Sequence, residues 1–314
     1  MFRIQKSGFC KVMLGSKMKQ TLCSVASNAE VAPGIHLMWI KAPDIARLAQ
    51  PGQFVTVRCG DFTLRRPFSI HQVGSNNVIA SPDAIGTKQS QIAILFKVAG
   101  KGTFWLSQRR AGQKIDILGP LGKGFAIPPE SRNLLLVAGG IGLAPLIFLL
   151  QQALSQHRIT LIHGARTGAQ VYPFHSPDKK RTRLSPLPKE VQFIPVTEDG
   201  TVGQKGIAMD VLPDYLDWAD QVYACGPVDM YKAMALTLVP SPVKGEDKPA
   251  AGEAPVPSHN LKLRKCQVSL EVRMGCGFGA CYACTINTKK GLRRVCQDGP
   301  VFELDDIIWQ EVRI

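Results

Sequence analysis

Four cysteines, Cys276, Cys281, Cys284 and Cys296, carry the most specific chemical signal in this 314-residue sequence. Three are compressed into Cys276-x4-Cys281-x2-Cys284, and the fourth follows after eleven intervening residues. Thiolates so spaced bind soft metal centres, and the interposed Gly275, Gly277, Gly279 and Ala280 leave the backbone free to turn its amides toward sulfur. Such amides stabilise a [2Fe-2S] cluster, which four thiolates and two sulfides make anionic. A structural zinc site typically pairs two C-x2-4-C knuckles, and this sequence has a single run of three instead. The spacing therefore favours iron-sulfur over zinc, with simple buried thiols as the third alternative. Cys10, Cys23, Cys59 and Cys266 have no companions at ligand spacing and read as core or neutral residues.

The first three thiols begin as plant-type ferredoxin sites do, but the return to the fourth ligand is much shorter, across an expected hairpin at residues 285–295. Other segments offer phosphate chemistry. Arg65-Arg66-Pro67-Phe68-Ser69-Ile70 sets a guanidinium and a hydroxyl on a proline-stiffened strand, which suits a diphosphate; the plainer alternative is a surface arginine pair. Gly100-Lys101-Gly102-Thr103 follows a β-run, where glycines admit a phosphate closely and Thr103 offers a hydroxyl. Gly139-Gly140-Ile141-Gly142-Leu143-Ala144-Pro145 stands where a βαβ nucleotide fold needs its turn, although it is not G-x-G-x-x-G. Tyr223-Ala224-Cys225-Gly226-Pro227 ends a later strand, where the crevice of such a sheet would hold a nicotinamide. Cys225 is the one catalytic candidate, near that nicotinamide, or else a buried structural thiol.

The elements that position these groups divide the chain. Residues 21–129 alternate short β-rich runs, including 54–58, 77–80 and 93–98, with Pro/Gly turns, and predict a small antiparallel β-barrel. Residues 130–239 predict an α/β domain with a parallel sheet: strands at 134–138, 159–163, 191–196 and 221–224, with a helix at 144–156 after the first. Residues 240–262 have the proline-rich, charged composition of a solvated linker. Residues 263–314 form a small β-rich unit in which 266–273 alternates like a strand and leads into the cysteines. Residues 1–20 are a basic extension with no apolar run of secretory type, so a cytoplasmic location is expected. The net charge of +14 is spread along the chain without a nucleic-acid-binding motif, and no apolar stretch has the length of a membrane span. Arg264, Lys265, Arg273, Lys289, Lys290, Arg293 and Arg294 surround the cysteines and either offset cluster charge, face an acidic partner or are simply solvated.

In order, these motifs resemble the ferredoxin-NADP reductase superfamily. Met274-Gly275-Cys276-Gly277-Phe278-Gly279-Ala280-Cys281-Tyr282-Ala283-Cys284 with Arg294-Val295-Cys296-Gln297-Asp298-Gly299-Pro300-Val301-Phe302 resembles, more narrowly, the electron-transfer subunits of heterotetrameric NAD-linked dihydroorotate dehydrogenases. The resemblance implies FAD contacts at Arg66, Pro67, Phe68 and Ser69, at Leu95, Phe96 and Lys97, and at Gly102 and Thr103, with the cluster on the four cysteines. It also implies a catalytic FMN-containing partner, two copies of each chain, while Gly139, Gly140, Gly142, Cys225 and Gly226 are the NAD candidates that the glycine turn and the later strand end supply. The segment between Ser69 and Leu95 is longer than the family's, 240–260 looks like an insertion, and the first twenty residues have no counterpart. Because clusters pass single electrons and nicotinamide takes a hydride, a flavin must stand between them. No acid or base for a pyrimidine is evident on this chain. Arg166, after the second nucleotide-domain strand, would tolerate a 2′-phosphate, so NAD is expected from the resemblance alone. The competing readings are a homologous subunit of another redox complex, such as a hydrogenase, sulfite reductase or transhydrogenase, and a non-catalytic metal-binding docking module.

Overall fold

The computed structural model describes residues 18–74, 90–172, 187–238 and 265–312. The expected strand at 77–80, the linker at 240–262, Cys10, Arg264 and nearly all of the N-terminal extension lie outside the described residues. Six strands close into an antiparallel barrel: β1 (Lys19–Ala32), β2 (Ile35–Lys41), β3 (Phe54–Arg58), β4 (Arg66–Gly74), β5 (Gln91–Lys97) and β6 (Lys114–Leu121), in the order β1-β2-β5-β4-β3-β6. Alternation along the strands makes this barrel. On β3, Val55 and Val57 join Met38, Ile40, Ile92 and Ile94 in the barrel core, whereas Phe54 joins the core shared with the rest of the chain. Two short helices, α1 (Pro43–Leu48) and α2 (Lys101–Ser107), lie in its connections. Cys23, Cys59 and Cys266 are buried, as lone cysteines usually are.

The second layer is built on β7 (Asn133–Gly139), β8 (Arg158–Ala165), β9 (Val191–Thr197), β10 (Gln204–Lys205) and β11 (Gln221–Cys225), all parallel. The central strands β7 and β11 are buried along nearly their whole length because helices cover the faces, whereas edge strand β10 is exposed. Helix α3 (Leu143–Ala153) follows β7, α4 (Ala208–Val211) and α5 (Pro213–Leu216) precede β11, and α6 (Val228–Leu238) follows it.

The C-terminal segment is welded to this sheet. Strand β12 (Cys266–Ser269) pairs parallel with β11, and β15 (Val301–Glu303) pairs antiparallel with β12, completing the order β10-β9-β8-β7-β11-β12-β15. Between them, β13 (Thr285–Thr288) and β14 (Gly291–Arg294) form the expected hairpin, followed by α7 (Val295–Asp298). Strand β12 stops four residues short of the alternating run in the sequence. Its partner begins at Val301, and Leu270 N–H already turns to Pro300 O at 2.9 Å. Tyr231 of α6 ties the layers together: its hydroxyl donates to Ser269 O (2.7 Å) and accepts from Gly226 N–H (2.9 Å), and its ring lies 5.2 Å from that of Trp309.

Barrel and sheet meet at α3. His71 of β4 donates from Nδ1 to Ala144 O at 3.0 Å, and Gln151 donates from Nε2 to Val73 O at 2.8 Å. His163 on β8 donates from Nε2 to Gly140 O and accepts at Nδ1 from Tyr172 N–H, so both ring nitrogens are committed in the neutral form. Burial lowers both His71 and His163 to about 4. A histidine whose folded value is depressed destabilises the fold wherever the unfolded chain binds the extra proton, here as pH falls from about 6.5 toward 4. Each should cost about 2 kcal/mol of stability between pH 7 and pH 5. Urea unfolding at the two pH values checks this; equal stabilities would contradict it.

Candidate functional site

A cleft of about 440 Å³ opens between barrel and sheet. Arg66, Pro67, Phe68 and Ser69 of β4 form one wall, with Leu95, Phe96 and Lys97 of β5 beside them and Thr103 of α2 at one end. The two neighbouring arginines have different tasks. Arg65 is tied to Asp116, 2.6 Å from Nη2 to Oδ2, and also reaches the Asp116 carbonyl. Arg66 reaches Leu64 O from Nη1 and lies against the Gly102 turn, where an added Cβ would stand 3.0 Å from Arg66 Nε. A guanidinium laid across a glycine turn is a diphosphate corner. The Thr103 hydroxyl donates to Gly100 O and accepts from the amides of Ala99 and Gly100, so it shapes that turn as well as lining the cleft.

The opposite wall comes from the glycine turn, at Ile141, Gly142, Ala144 and Pro145, and from Cys225. Gly142 must be glycine, since a Cβ there would fall 2.1 Å from Cys225 O. Gly139 is crowded by a rigid ring, its Cβ position meeting Pro227 Cδ at 2.7 Å, whereas Gly226 meets first the flexible end of Met230, Cε at 2.6 Å. The glycine turn and the Cys225-Gly226-Pro227 strand end, about 85 residues apart, are thus pressed together at the sheet's switch point. Burial, then the charge of Glu271, pushes the Cys225 thiol up to about 12, so it is a neutral group in the cleft wall at physiological pH. A second cavity of about 440 Å³ lies over the carboxyl edge of the sheet, bounded by Gly139, Gly140, Gly164, Arg166, Glu198 and Asp229. It shares Lys97 and Ile141 with the first cleft, so the two are neighbours.

The sequence reading missed the third wall. Ser269, Leu270, Glu271, Val272 and Met274 also line the first cleft, along the segment running from β12 to the cysteines. The signal was present: the run at 266–273 leads without a break into Cys276. Glu271 is open to solvent at the cleft mouth, yet the protein around it raises its carboxyl above the usual range by desolvation.

The four cysteines gather on one loop and α7. Amides point at their sulfurs: Gly279 N–H to Cys296 Sγ (3.1 Å), Ala280 N–H to Cys276 Sγ (3.2 Å), Cys276 N–H to Cys281 Sγ (3.3 Å) and Cys296 N–H to Cys284 Sγ (3.4 Å). The loop achieves this through left-handed residues, Gly277 (φ +82°), Gly279 (φ +90°) and Tyr282 (φ +59°). Arg294 clamps it by donating to Gly279 O at 2.8 Å and stacking over the Tyr282 ring. Burial pushes the Cys276 thiol up, but amide hydrogen bonds from Phe278, Cys281 and Ala280 outweigh it and bring it down to about 7. These donors favour thiolate, the form that ligates metal. Cys284 and Cys296 are buried while Cys281 is exposed, giving the site an inner and an outer side. Of the basic residues nearby, Lys290 pairs with Asp306 at 2.6 Å and Arg294 serves the loop, so only part of that charge is free for a partner.

Comparisons with known proteins agree with this geometry. Residues 271–308 match the family model described as the iron-sulfur cluster binding domain of dihydroorotate dehydrogenase B, and residues 136–235 match an oxidoreductase NAD-binding domain. The chain is 36% identical to the dihydroorotate dehydrogenase B (NAD(+)) electron transfer subunit of Desulforamulus reducens, over 89% of this chain and 95% of that one. It is 32% identical to the protein of the same name from Fusobacterium nucleatum, over 92% and 99%. Among solved structures it resembles an NADH-dependent reduced ferredoxin-NADP oxidoreductase (TM-score 0.70, 25% identity, 92% and 91% covered). It also shares the fold of a Neisseria gonorrhoeae ferredoxin NADP+ reductase with bound FAD and NADP (TM-score 0.55, 16% identity, 74% and 95% covered). The chain belongs to the family of electron transfer subunits of NAD(+)-dependent dihydroorotate dehydrogenase B.

Proposed function

We propose that this chain takes electrons from a dihydroorotate-oxidising, FMN-containing partner and delivers them to NAD, in an assembly of two copies of each chain. A [2Fe-2S] cluster on Cys276, Cys281, Cys284 and Cys296 is the inlet, and FAD in the first cleft joins it to the nicotinamide. The flavin, when bound, supplies the conversion of single electrons into a hydride. One observation carries the reading: residues 269–274 are at once a wall of the flavin cleft and the lead into Cys276. The two cofactors are therefore held by one short piece of backbone.

The protein's own residues position and shield. Arg66 and the Gly102–Thr103 turn would hold the flavin diphosphate, with Pro67, Phe68 and Ser69 lining the same cleft wall. Gly139, Gly140, Gly142 and Gly226 let the dinucleotide approach the backbone at the sheet edge. The cavity there holds Glu198 and Asp229 as well as Arg166, and the acidic pair disfavours an added 2′-phosphate, which supports NAD. The outer side of the cysteine loop, with exposed Phe278, Tyr282 and Leu292, is the face offered to the partner. The chain divides by cofactor into units at 21–129, 130–239 and 263–314. Among the described residues no helix is long and apolar enough to cross a membrane.

Mixing the chain with the dihydroorotate-oxidising flavoprotein should produce NADH from dihydroorotate only when both are present. Cys296→Ser should abolish that coupled reaction, by 100-fold or more on an order-of-magnitude view of losing a cluster ligand, while NADH-to-dye activity through the flavin persists. A mixture that reduces no NAD sinks the pyrimidine assignment. The arginines give a second contrast: Arg66→Ala should weaken FAD about 10- to 100-fold, the scale of a charge-assisted phosphate contact. Arg65→Ala, which removes the Asp116 pair, should leave FAD affinity within a few fold. Fluorescence titration of apoprotein with FAD distinguishes the two.

A further inference from the structure

Thr56 occupies the one point where the barrel touches the cysteine loop directly and a polar atom is left over. It lies on β3, opposite Pro67 of β4 and Leu118 of β6, on the strand face away from Val55 and Val57. Its side chain is 2% exposed, and among the described residues its Oγ1 has no hydrogen-bond partner. The contact with the loop is tight: a Cβ on Gly277, the residue after Cys276, would stand 2.8 Å from Thr56 Cγ2. Phe54 and Pro67 line the flavin cleft but Thr56 does not. In the structure the Thr56 methyl therefore faces the cysteine loop, with the unpaired hydroxyl buried on the same side chain, one rotation about χ1 away.

A buried hydroxyl without a partner is costly, so its retention between two redox sites calls for an acceptor that the polypeptide does not provide. Nor does a donor serve its lone pairs: Pro67 opposite has no N–H, and the amides of Gly279 and Ala280 point at cysteine sulfurs. We propose that Thr56 Oγ–H donates a hydrogen bond, after rotation about χ1, to a sulfur of the iron-sulfur centre on the Cys276 side, and so tunes that centre's potential. The inference rests on ligation by the four cysteines. One electron enters on reduction and no proton moves, so negative charge on the sulfurs grows. A donor aimed at them stabilises the reduced form more than the oxidised form and raises the potential.

The test uses the full chain carrying flavin and iron, as wild type, Thr56→Val and Thr56→Ser, in dye-mediated reductive titrations. Low-temperature electron paramagnetic resonance follows the cluster and visible absorbance follows the flavin. Thr56→Val, nearly isosteric, should lower the ratio of reduced to oxidised cluster about tenfold at fixed ambient potential, which is 59 mV for a one-electron couple. Thr56→Ser should match wild type, and the flavin potential should not move. An unshifted cluster in Thr56→Val, a Thr56→Ser that shifts as far as valine does, or a shift confined to the flavin overturns the proposal. Should Thr56→Val purify without iron, Thr56→Ala takes its place beside Thr56→Ser: a lowered cluster potential in the alanine variant alone supports the hydroxyl's role, and an unshifted one overturns it. A wild-type chain lacking a cluster signal would refute the ligation reading itself, an outcome distinct from a cluster that is present and unshifted.

Discussion

The parallel pairing of β11 with β12, Val222 against Cys266 and Ala224 against Val268, is the constraint on which the arrangement depends. Strand β11 ends at Cys225, which closes one wall of the flavin cleft, and β12 ends at Ser269, from which the chain proceeds through the third wall to Cys276. Two strand ends side by side thus fix where the two cavities and the cysteine loop stand relative to one another. Tyr231 secures the junction by bridging Gly226 and Ser269 with one hydroxyl. Electron transfer weakens steeply with distance, so a fixed sheet register suits it better than a mobile tether would.

Charge is handled locally around this junction. The cysteine loop supplies its own donors from backbone amides, held in left-handed turns that glycine makes inexpensive. Arg294 then braces the loop instead of acting as a free surface cation. At the first cleft, Arg66 lies against the Gly102 turn while Arg65 is neutralised by Asp116. The buried histidines at the α3 contacts are kept neutral, so the interface between barrel and sheet holds through hydrogen bonds and packing without stranded charge.

Much of this was legible in the sequence because the signals were periodic or stereochemical. β-Rich runs bounded by Pro/Gly turns identified β3 and β5, apolar runs identified β7 and β8, and the cysteine spacing pointed to the cluster. The glycines were legible as a turn, but not the reason for them, since the close approach of Gly142 to Cys225 is a contact across about 80 residues. Local pattern was also silent on which strand the C-terminal segment would join. It gave that segment a unit of its own, and only the β11–β12 ladder shows it extending the nucleotide sheet. Likewise, nothing near Arg65 and Arg66 in the sequence distinguishes them; Asp116, 51 residues beyond Arg65, decides.

Internal electron transfer between nicotinamide, flavin and cluster, across a fixed geometry on one chain, can be watched by rapid mixing of the flavin- and iron-loaded chain with NADH under anaerobic conditions, with flavin bleaching and cluster reduction followed at separate wavelengths. Flavin reduction should precede cluster reduction, and the second phase should have a rate independent of protein concentration. A cluster phase whose rate rises in proportion to protein concentration would mean that electrons pass between molecules, and would contradict internal transfer.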